Sequence, residues 1–316
     1  MGEFDLIRQY FLPLARPHRC LPLGLGDDCA IQSLPPDHDL VFSVDTLVEG
    51  VHFPRRYSPE NLGWRALAVA ASDLAAMGAQ PQCFTLALTL PAADSAWLGA
   101  FSRGLGTASE AFGLVLAGGD TTRGPLTLSL QVHGVVPRGR ALTRVGARPG
   151  DLVAVSGTLG DAGAALDYLD EPSPTADMRA VLARYHHPYP RLELGQSLRD
   201  LASAAIDISD GTVADLGHIL AASGVGANIE SGRLPVSAAL ERLKGSASRH
   251  YALCSGDDYE LCLTLSEASW QALPESVKRQ LTVVGRIERN AGLRVDGQPF
   301  DAGANPAGFD HFGGAV

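Results

Sequence analysis

Aspartates recur where apolar runs give way to glycine: Gly24-Leu25-Gly26-Asp27-Asp28, Val44-Asp45, Gly118-Gly119-Asp120 and Asp207-Ile208-Ser209-Asp210-Gly211. Carboxylates at strand ends beside glycine can converge on one cleft, where backbone amides approach a ligand closely. Taken singly, each reads better as turn chemistry, because Asp-Gly and Gly-Asp are ordinary turn residues. Four together, in a chain with few other chemical candidates, point to a multi-metal site. Asp73 adds to them. Leu62, Ala66, Val69, Ala70 and Met77 mark an apolar stripe on a helix opened by Ser58-Pro59-Glu60, and Asp73 lies four residues from both Val69 and Met77. A carboxylate buried on that stripe needs a cation, a basic partner or several hydrogen bonds.

Asp and Ser oxygens are hard donors, and no His/Cys cluster accompanies them, so the implied ion is Mg²⁺ or Mn²⁺ rather than zinc. The chain carries 35 Asp+Glu against 25 Lys+Arg, a net charge of −10. That balance argues against non-specific binding to nucleic acid or an anionic membrane surface. An acidic cleft holds a nucleoside triphosphate only through bridging metals. The P-loop pattern, the kinase HRD and DFG pair and the G-x-S-x-G elbow are all missing.

The elements that must position these residues read as mixed α and β in two halves. With 316 residues, 46% of them hydrophobic, two domains are the expectation. Leu40–Asp45 and Gln82–Leu90 read as strands, and Ser58 to Gly78 as a helix with its cap and stop. Asp94 caps a second helix reaching Gly113, and Leu114–Ala117 and Leu126–Val136 complete the first half. Residues 137–151 carry four arginines and little to pack, and read as the joint between a domain of residues 1–137 and one of residues 138–316. Beyond it, Leu152–Ser156, Ala205–Ser209, Tyr259–Leu265 and Leu281–Ile287 read as strands. Helices are expected from Gly160, around 177–186 and 191–203, and over Thr212–Ala222. Five cysteines, none spaced C-x-x-C, read as reduced thiols, mostly buried. No secretory signal, myristoylation pattern or membrane span is found, so a cytoplasmic location is expected.

Gly26-Asp27-Asp28-Cys29-Ala30, the run from Ser43 to Phe53 (SVDTLVEGVHF) and Ser72-Asp73-Leu74-Ala75-Ala76-Met77-Gly78-Ala79 closely resemble the thiamine-monophosphate kinase family. So do Gly118-Gly119-Asp120-Thr121-Thr122, Asp207–Gly211 and Ser255-Gly256-Asp257-Asp258-Tyr259-Glu260-Leu261. The glycine–aspartate elements belong more broadly to the aminoimidazole ribonucleotide synthetase superfamily.

The resemblance implies ATP-dependent phosphorylation of thiamine monophosphate to thiamine diphosphate. It implies an N-terminal α+β sheet domain that forms a homodimer and a C-terminal α/β domain closing over the nucleotide. Asp27, Ser43, Asp45, Asp73 and Asp120, joined by Asp207 and Asp210, would carry magnesium ions, with Val44 adding a backbone carbonyl. Gly119, Asp120, Arg144 and Ser209 match nucleotide-contacting positions. His52, Glu260 and Phe312 match thiamine-phosphate-contacting positions. Gly-Asp-Asp stands where Gly-Glu-Asp is usual, so Asp257, Asp258 and Glu260 compete for one role, as do Phe309 and Phe312 for another. The acceptor is already an anion, so no general base is assigned. The alternatives are a selenophosphate or purine-pathway synthetase of the same superfamily, or a non-catalytic metal-binding scaffold.

Overall fold

The structure, a computed structural model, describes residues 2–300. The chain divides into two compact units, Met1–Ala141 and Leu142–Val316.

The N-terminal unit opens with a turn of helix, α1 (Glu3–Leu6), continued by irregular helical turns to Leu14. Its frame is a four-stranded sheet of β1 (His38–Val48), β2 (Gln80–Leu90), β3 (Val115–Arg123) and β4 (Thr127–Pro137), in the order β1-β4-β2-β3. Only the β2–β3 pair is parallel. Two helices, α2 (Pro59–Ala76) and α3 (Ser95–Phe112), pack against each other and onto the sheet. Helix α2 starts as its sequence dictates: Ser58 Oγ accepts from the Asn61 amide, Pro59 needs no donor in the first turn, and Glu60 faces the positive end. Asp94 caps α3 in the same way, and Gly113 ends it in the left-handed conformation. Leu62, Leu67, Leu74, Phe84, Leu88, Leu98, Phe101 and Leu128 form a core with almost no exposure. Burying each such side chain stabilises the fold by about 2 kcal/mol.

Strand β1 is an edge, and its residues alternate. Val41, Ser43, Asp45 and Leu47 face inward, while Leu40, Phe42, Val44 and Thr46 face out. Leu40, Phe42 and Val44 are 36%, 60% and 63% exposed, an apolar row on the outer face.

The C-terminal unit is built on a seven-stranded mixed sheet. Its strands are β5 (Leu152–Ser156), β6 (Ala204–Ile208), β7 (Gly226–Ile229), β8 (Glu260–Leu265), β9 (Leu281–Glu288), β10 (Gly292–Val295) and β11 (Gln298–Pro299). Their order is β11-β10-β7-β9-β5-β8-β6. Every residue of β5, β6 and β8 is buried, so these strands read as mostly apolar runs, broken by the buried acids Asp207 and Glu260. The helices are α4 (Asp161–Ala165), α5 (Ala176–His186), α6 (Leu192–Leu198), α7 (Thr212–Ser223), α8 (Ala238–Lys244), α9 (Ser248–Cys254), α10 (Glu267–Ala272) and α11 (Glu275–Lys278). Helix α7 presents Leu216, Ile219 and Leu220 to a core shared with Ile206, Ile208, Ala227 and Val284.

Two expectations are corrected here. Residues 137–151 do pack: Leu142 and Ala147 are buried, and Ser223 Oγ accepts from the amides of Gly146 and Ala147 while donating to the Arg144 carbonyl. The helix expected from Gly160 to Tyr168 is one short turn, α4, followed by a 3₁₀ turn. Cys20, Cys83 and Cys262 are buried, Cys254 is partly buried and Cys29 is exposed; all are free thiols. No helix among the described residues is long and apolar enough to cross a membrane.

Candidate active site

In the N-terminal unit the inward face of β1 meets the open side of α2. Helix α2 is buried around most of its circumference and emerges only along a few positions, among them Val69, Asp73 and Met77. Asp73 therefore sits half-exposed at the margin of the core, not within it. The stripe reading fails because the helix is buried on most sides, so the few positions that emerge, Asp73 with Val69 and Met77, form its open side rather than a buried stripe.

There Ser43 donates its hydroxyl to Asp73 Oδ2. Asp45, two residues along the same face of β1, feels Asp73 directly. Burial pushes the Asp45 carboxyl up to about 7, and the Asp73 charge adds to the shift. Among the described residues, the buried Asp45 Oδ2 has no hydrogen-bond partner. Such an oxygen costs on the order of 1–3 kcal/mol unless something supplies positive charge. Ser43, Asp45 and Asp73 are thus brought together. The Val44 side chain points the opposite way, so only its backbone is available.

Asp27 and Asp120 stand apart from that trio. Asp27 is exposed and accepts from the next amide, that of Asp28. Gly119 lies opposite Leu86 in the β2–β3 pair, so close that any side chain would overlap the Leu86 carbonyl. Asp120 follows it, exposed, on a recess lined by Ile7, Phe11, Leu25, Leu86 and the strand residues Gly118–Thr121. Leu25 belongs to the Asp27 loop, so that loop and Asp120 border one hollow. Among the described residues no three carboxylate, imidazole or thiol side chains are close enough together to hold one ion. His52 lies in the turn after β1, half-buried, and its Nδ1 accepts from the Val48 amide. That bond fixes the tautomer with the proton on Nε2.

In the C-terminal unit two acidic loops are zipped together. The Asp257 amide donates to the Ser209 carbonyl and the Tyr259 amide to that of Ile208. Both Asp257 and Tyr259 hold positive φ, +69° and +50°, an uncommon strain for residues with side chains. Asp207 is buried at the end of β6, and Ser209 and Asp210 are half-exposed after it. Beneath them lies Asp215, which sequence reasoning missed. Its Oδ2 accepts from the amides of Ser209, Asp210 and Gly211. Burial pushes the Asp215 carboxyl up to about 7, the neighbouring Asp210 adding to the rise against those three bonds. The only sequence signal was an acid in the first turn of α7.

The three competing acids of the 255–260 segment separate clearly. Asp257 is half-exposed, its Oδ1 accepting from the Tyr259 hydroxyl. Asp258 and Glu260 are both buried, Asp258 taking the Gly160 amide and Glu260 sealed under Arg184 and Arg191. Arg184 and Arg191 are further residues that sequence reading did not single out. Arg144 is exposed. Phe309 and Phe312 lie outside the described residues.

Family models describe both units: AIR synthase related protein, N-terminal domain, matches residues 26–136, and the C-terminal domain of the same family matches residues 148–298. The thiamine-monophosphate kinase of Escherichia coli (strain K12) is 44% identical over 98% of each chain. A crystal structure of thiamine-monophosphate kinase from Stenotrophomonas maltophilia K279a superposes with a TM-score of 0.86 at 43% identity, covering 94% of this chain and 96% of its own. A solved complex, "AaThiL complexed with AMPPCP and TMP", gives 0.81 at 34% identity over 98% and 97%. The chain belongs to the AIR synthase related family and, within it, to the thiamine-monophosphate kinases.

Proposed function

We propose that this chain transfers the γ-phosphoryl group of ATP to thiamine monophosphate in a single in-line displacement, yielding thiamine diphosphate and ADP. The observation that carries the reading is the Ser43–Asp45–Asp73 trio, with a buried carboxylate oxygen that has no partner among the described residues. Family membership and the AMPPCP and TMP held by a related structure support it.

The oxygen donors fit magnesium in type: two carboxylates, a hydroxyl and a backbone carbonyl, with water and substrate phosphate needed to complete the shell. Asp27, Ser43, Val44, Asp45, Asp73 and Asp120 would hold such ions in the N-terminal unit, and Asp207 and Asp210 in the other. Bound there, Mg²⁺ neutralises phosphate charge and draws electron density from the transferred phosphorus. The chain's own groups do the rest. Gly119 and Asp120 lie on the recess beside the Asp27 loop where the nucleotide would bind, and Arg144 and Ser209 offer it a cation and a hydroxyl. His52 presents an Nε2 proton to an acceptor oxygen. No side chain is needed as a base, because the acceptor phosphate is already an anion.

A coupled assay of ATP consumption with thiamine monophosphate, thiamine and aminoimidazole-type acceptors tests the reading. Turnover is expected with the monophosphate alone. With γ-labelled ATP and Mg²⁺ but no acceptor, the protein should stay unlabelled; label that chases into thiamine diphosphate defeats the single displacement.

The apolar row Leu40, Phe42 and Val44 on the outer face of edge strand β1 supports a homodimer through this sheet. A solution mass near that of one 33.1 kDa chain at micromolar concentration would contradict it.

A further inference from the structure

The C-terminal unit encloses a charge cluster that the reading above leaves without a task. The Glu260 side chain is 1% exposed, and its oxygens are taken up by neighbours. Ser156 Oγ donates to Oε2 at 2.5 Å and Arg191 Nε to the same oxygen at 2.6 Å. Arg191 Nη2 and Arg184 Nη2 donate to Oε1 at 2.5 and 2.7 Å. Gly157, at φ +56°, lies against this carboxylate where any side chain would overlap it. Burial alone would push the Glu260 carboxyl up, but Arg191 and then Arg184 overcome that and hold it below its usual range. Glu260 is ionised and fully engaged, so its own oxygens have little left for a ligand.

The charges do not balance. One carboxylate faces two guanidiniums. Asp258, the other acid near Arg184, is fully buried, and burial pushes its carboxyl well above the usual range despite the Gly160 amide. Among the described residues it accepts no hydrogen bond from either arginine, both of which donate to Glu260. Asp161 accepts the hydroxyls of Thr158 and Ser237. A pair kept for stability needs one arginine, and even one seldom recovers the desolvation of its carboxylate. Here a second cation is retained in a chain of net charge −10. Arg184 and Arg191 are 25% and 26% exposed, and among the described residues neither Nη1 has a protein partner. Arg184 Nε is buried with no partner either.

We propose that Glu260 is a positioning residue that fixes Arg184 and Arg191 side by side, and that this guanidinium pair receives the phosphate oxygens of the acceptor, thiamine monophosphate. The proposal rests on the kinase reading above. Two planar forks match the oxygen edges of a phosphate monoester, which one lysine-like point charge does not. An acceptor phosphate must also approach a second anion, and a fixed cation pair offsets that repulsion.

The test is steady-state kinetics on wild type, Arg184→Lys, Arg191→Lys and Glu260→Gln, with each substrate varied while the other saturates. Lysine keeps the charge and removes the fork. The KM for thiamine monophosphate is expected to rise at least about tenfold in all three variants, with the KM for ATP changed by less than about twofold. A rise in the KM for ATP instead assigns the pair to the nucleotide and overturns the proposal. No change in either KM makes the cluster purely structural and also overturns it. If Glu260→Gln fails to fold, the two lysine variants decide alone. Wild-type protein that does not turn over thiamine monophosphate defeats the kinase reading itself, a result seen before any variant is made.

Discussion

Asp45 in the N-terminal unit and Asp215 in the C-terminal unit share an electrostatic signature. Each is pushed up to about 7 first by burial, then by one neighbouring acid, Asp73 or Asp210. Their surroundings differ completely. Asp215 Oδ2 gathers three backbone amides, whereas Asp45 Oδ2 has no partner among the described residues. A shifted pKa therefore does not identify a functional carboxylate; where its lone pairs go does. Asp215 is a clasp that shapes the 209–211 loop. Asp45 faces another acid, and in the function proposed above that pair would take a cation.

Removing the charge of the open pair should have the largest effect. Asp73→Asn keeps the shape and the acceptor for Ser43, yet turnover is expected to fall by about 10²–10³, with the melting temperature unchanged or raised because acid–acid repulsion is relieved. Near-wild-type turnover would remove Asp73 from the site and break the contrast. Asp215→Ala should show the opposite profile. Three amides lose their acceptor, so stability is expected to drop by about 2–4 kcal/mol in denaturant unfolding, while the Mg²⁺-induced rise in melting temperature persists. Unchanged stability there would mean that water or another group satisfies the loop.

A smaller effect concerns pH. Both carboxyls titrate near 7 when folded against 3.8 in the reference state, so the unfolded chain releases these protons first. Their contribution is fully present below about pH 3.8 and is lost as pH rises through about 7. Metal-free wild type should therefore lose stability between pH 5 and pH 8. Asp45→Asn should flatten that loss, and Mg²⁺ should reverse more of it at pH 8 than at pH 5. Equal slopes for wild type and Asp45→Asn in chelator would show that Asp45 does not titrate in this window.

Much of this was legible in the sequence where the cause is local. Ser58, Pro59 and Gly78 bracket α2 as found, Asp94 and Gly113 bracket α3, and the alternation of Gln82–Leu90 marks β2. The joining of Ser43 and Asp45 on one face follows from the period of a strand. What escaped depends on long-range neighbours. Arg184 and Arg191 reach Glu260 across 76 and 69 residues, and no spacing rule foretells such a meeting. Gly226-Ala227-Asn228-Ile229 is too short and too glycine-rich to read as a strand, and becomes β7 only because β9 and β10 flank it. The segment 142–147 looked unpacked because its partners are distant in sequence, the Ser223 hydroxyl and the Ala205 amide among them.

The alternation of β1 has one more consequence. Ser43 and Asp45 face one way and Phe42 and Val44 the other, so every position on the strand is committed to one of two tasks. Slipping the strand by one residue against β4 would exchange the two sets at once, turning both acidic-site residues outward and driving Phe42 and Val44 into the core. Substitutions can be absorbed one at a time on either side. A one-residue insertion or deletion cannot, since it corrupts both faces in a single step. The length of this strand is thus more tightly held than most of its letters, and relatives diverging here are constrained to change spelling without changing frame.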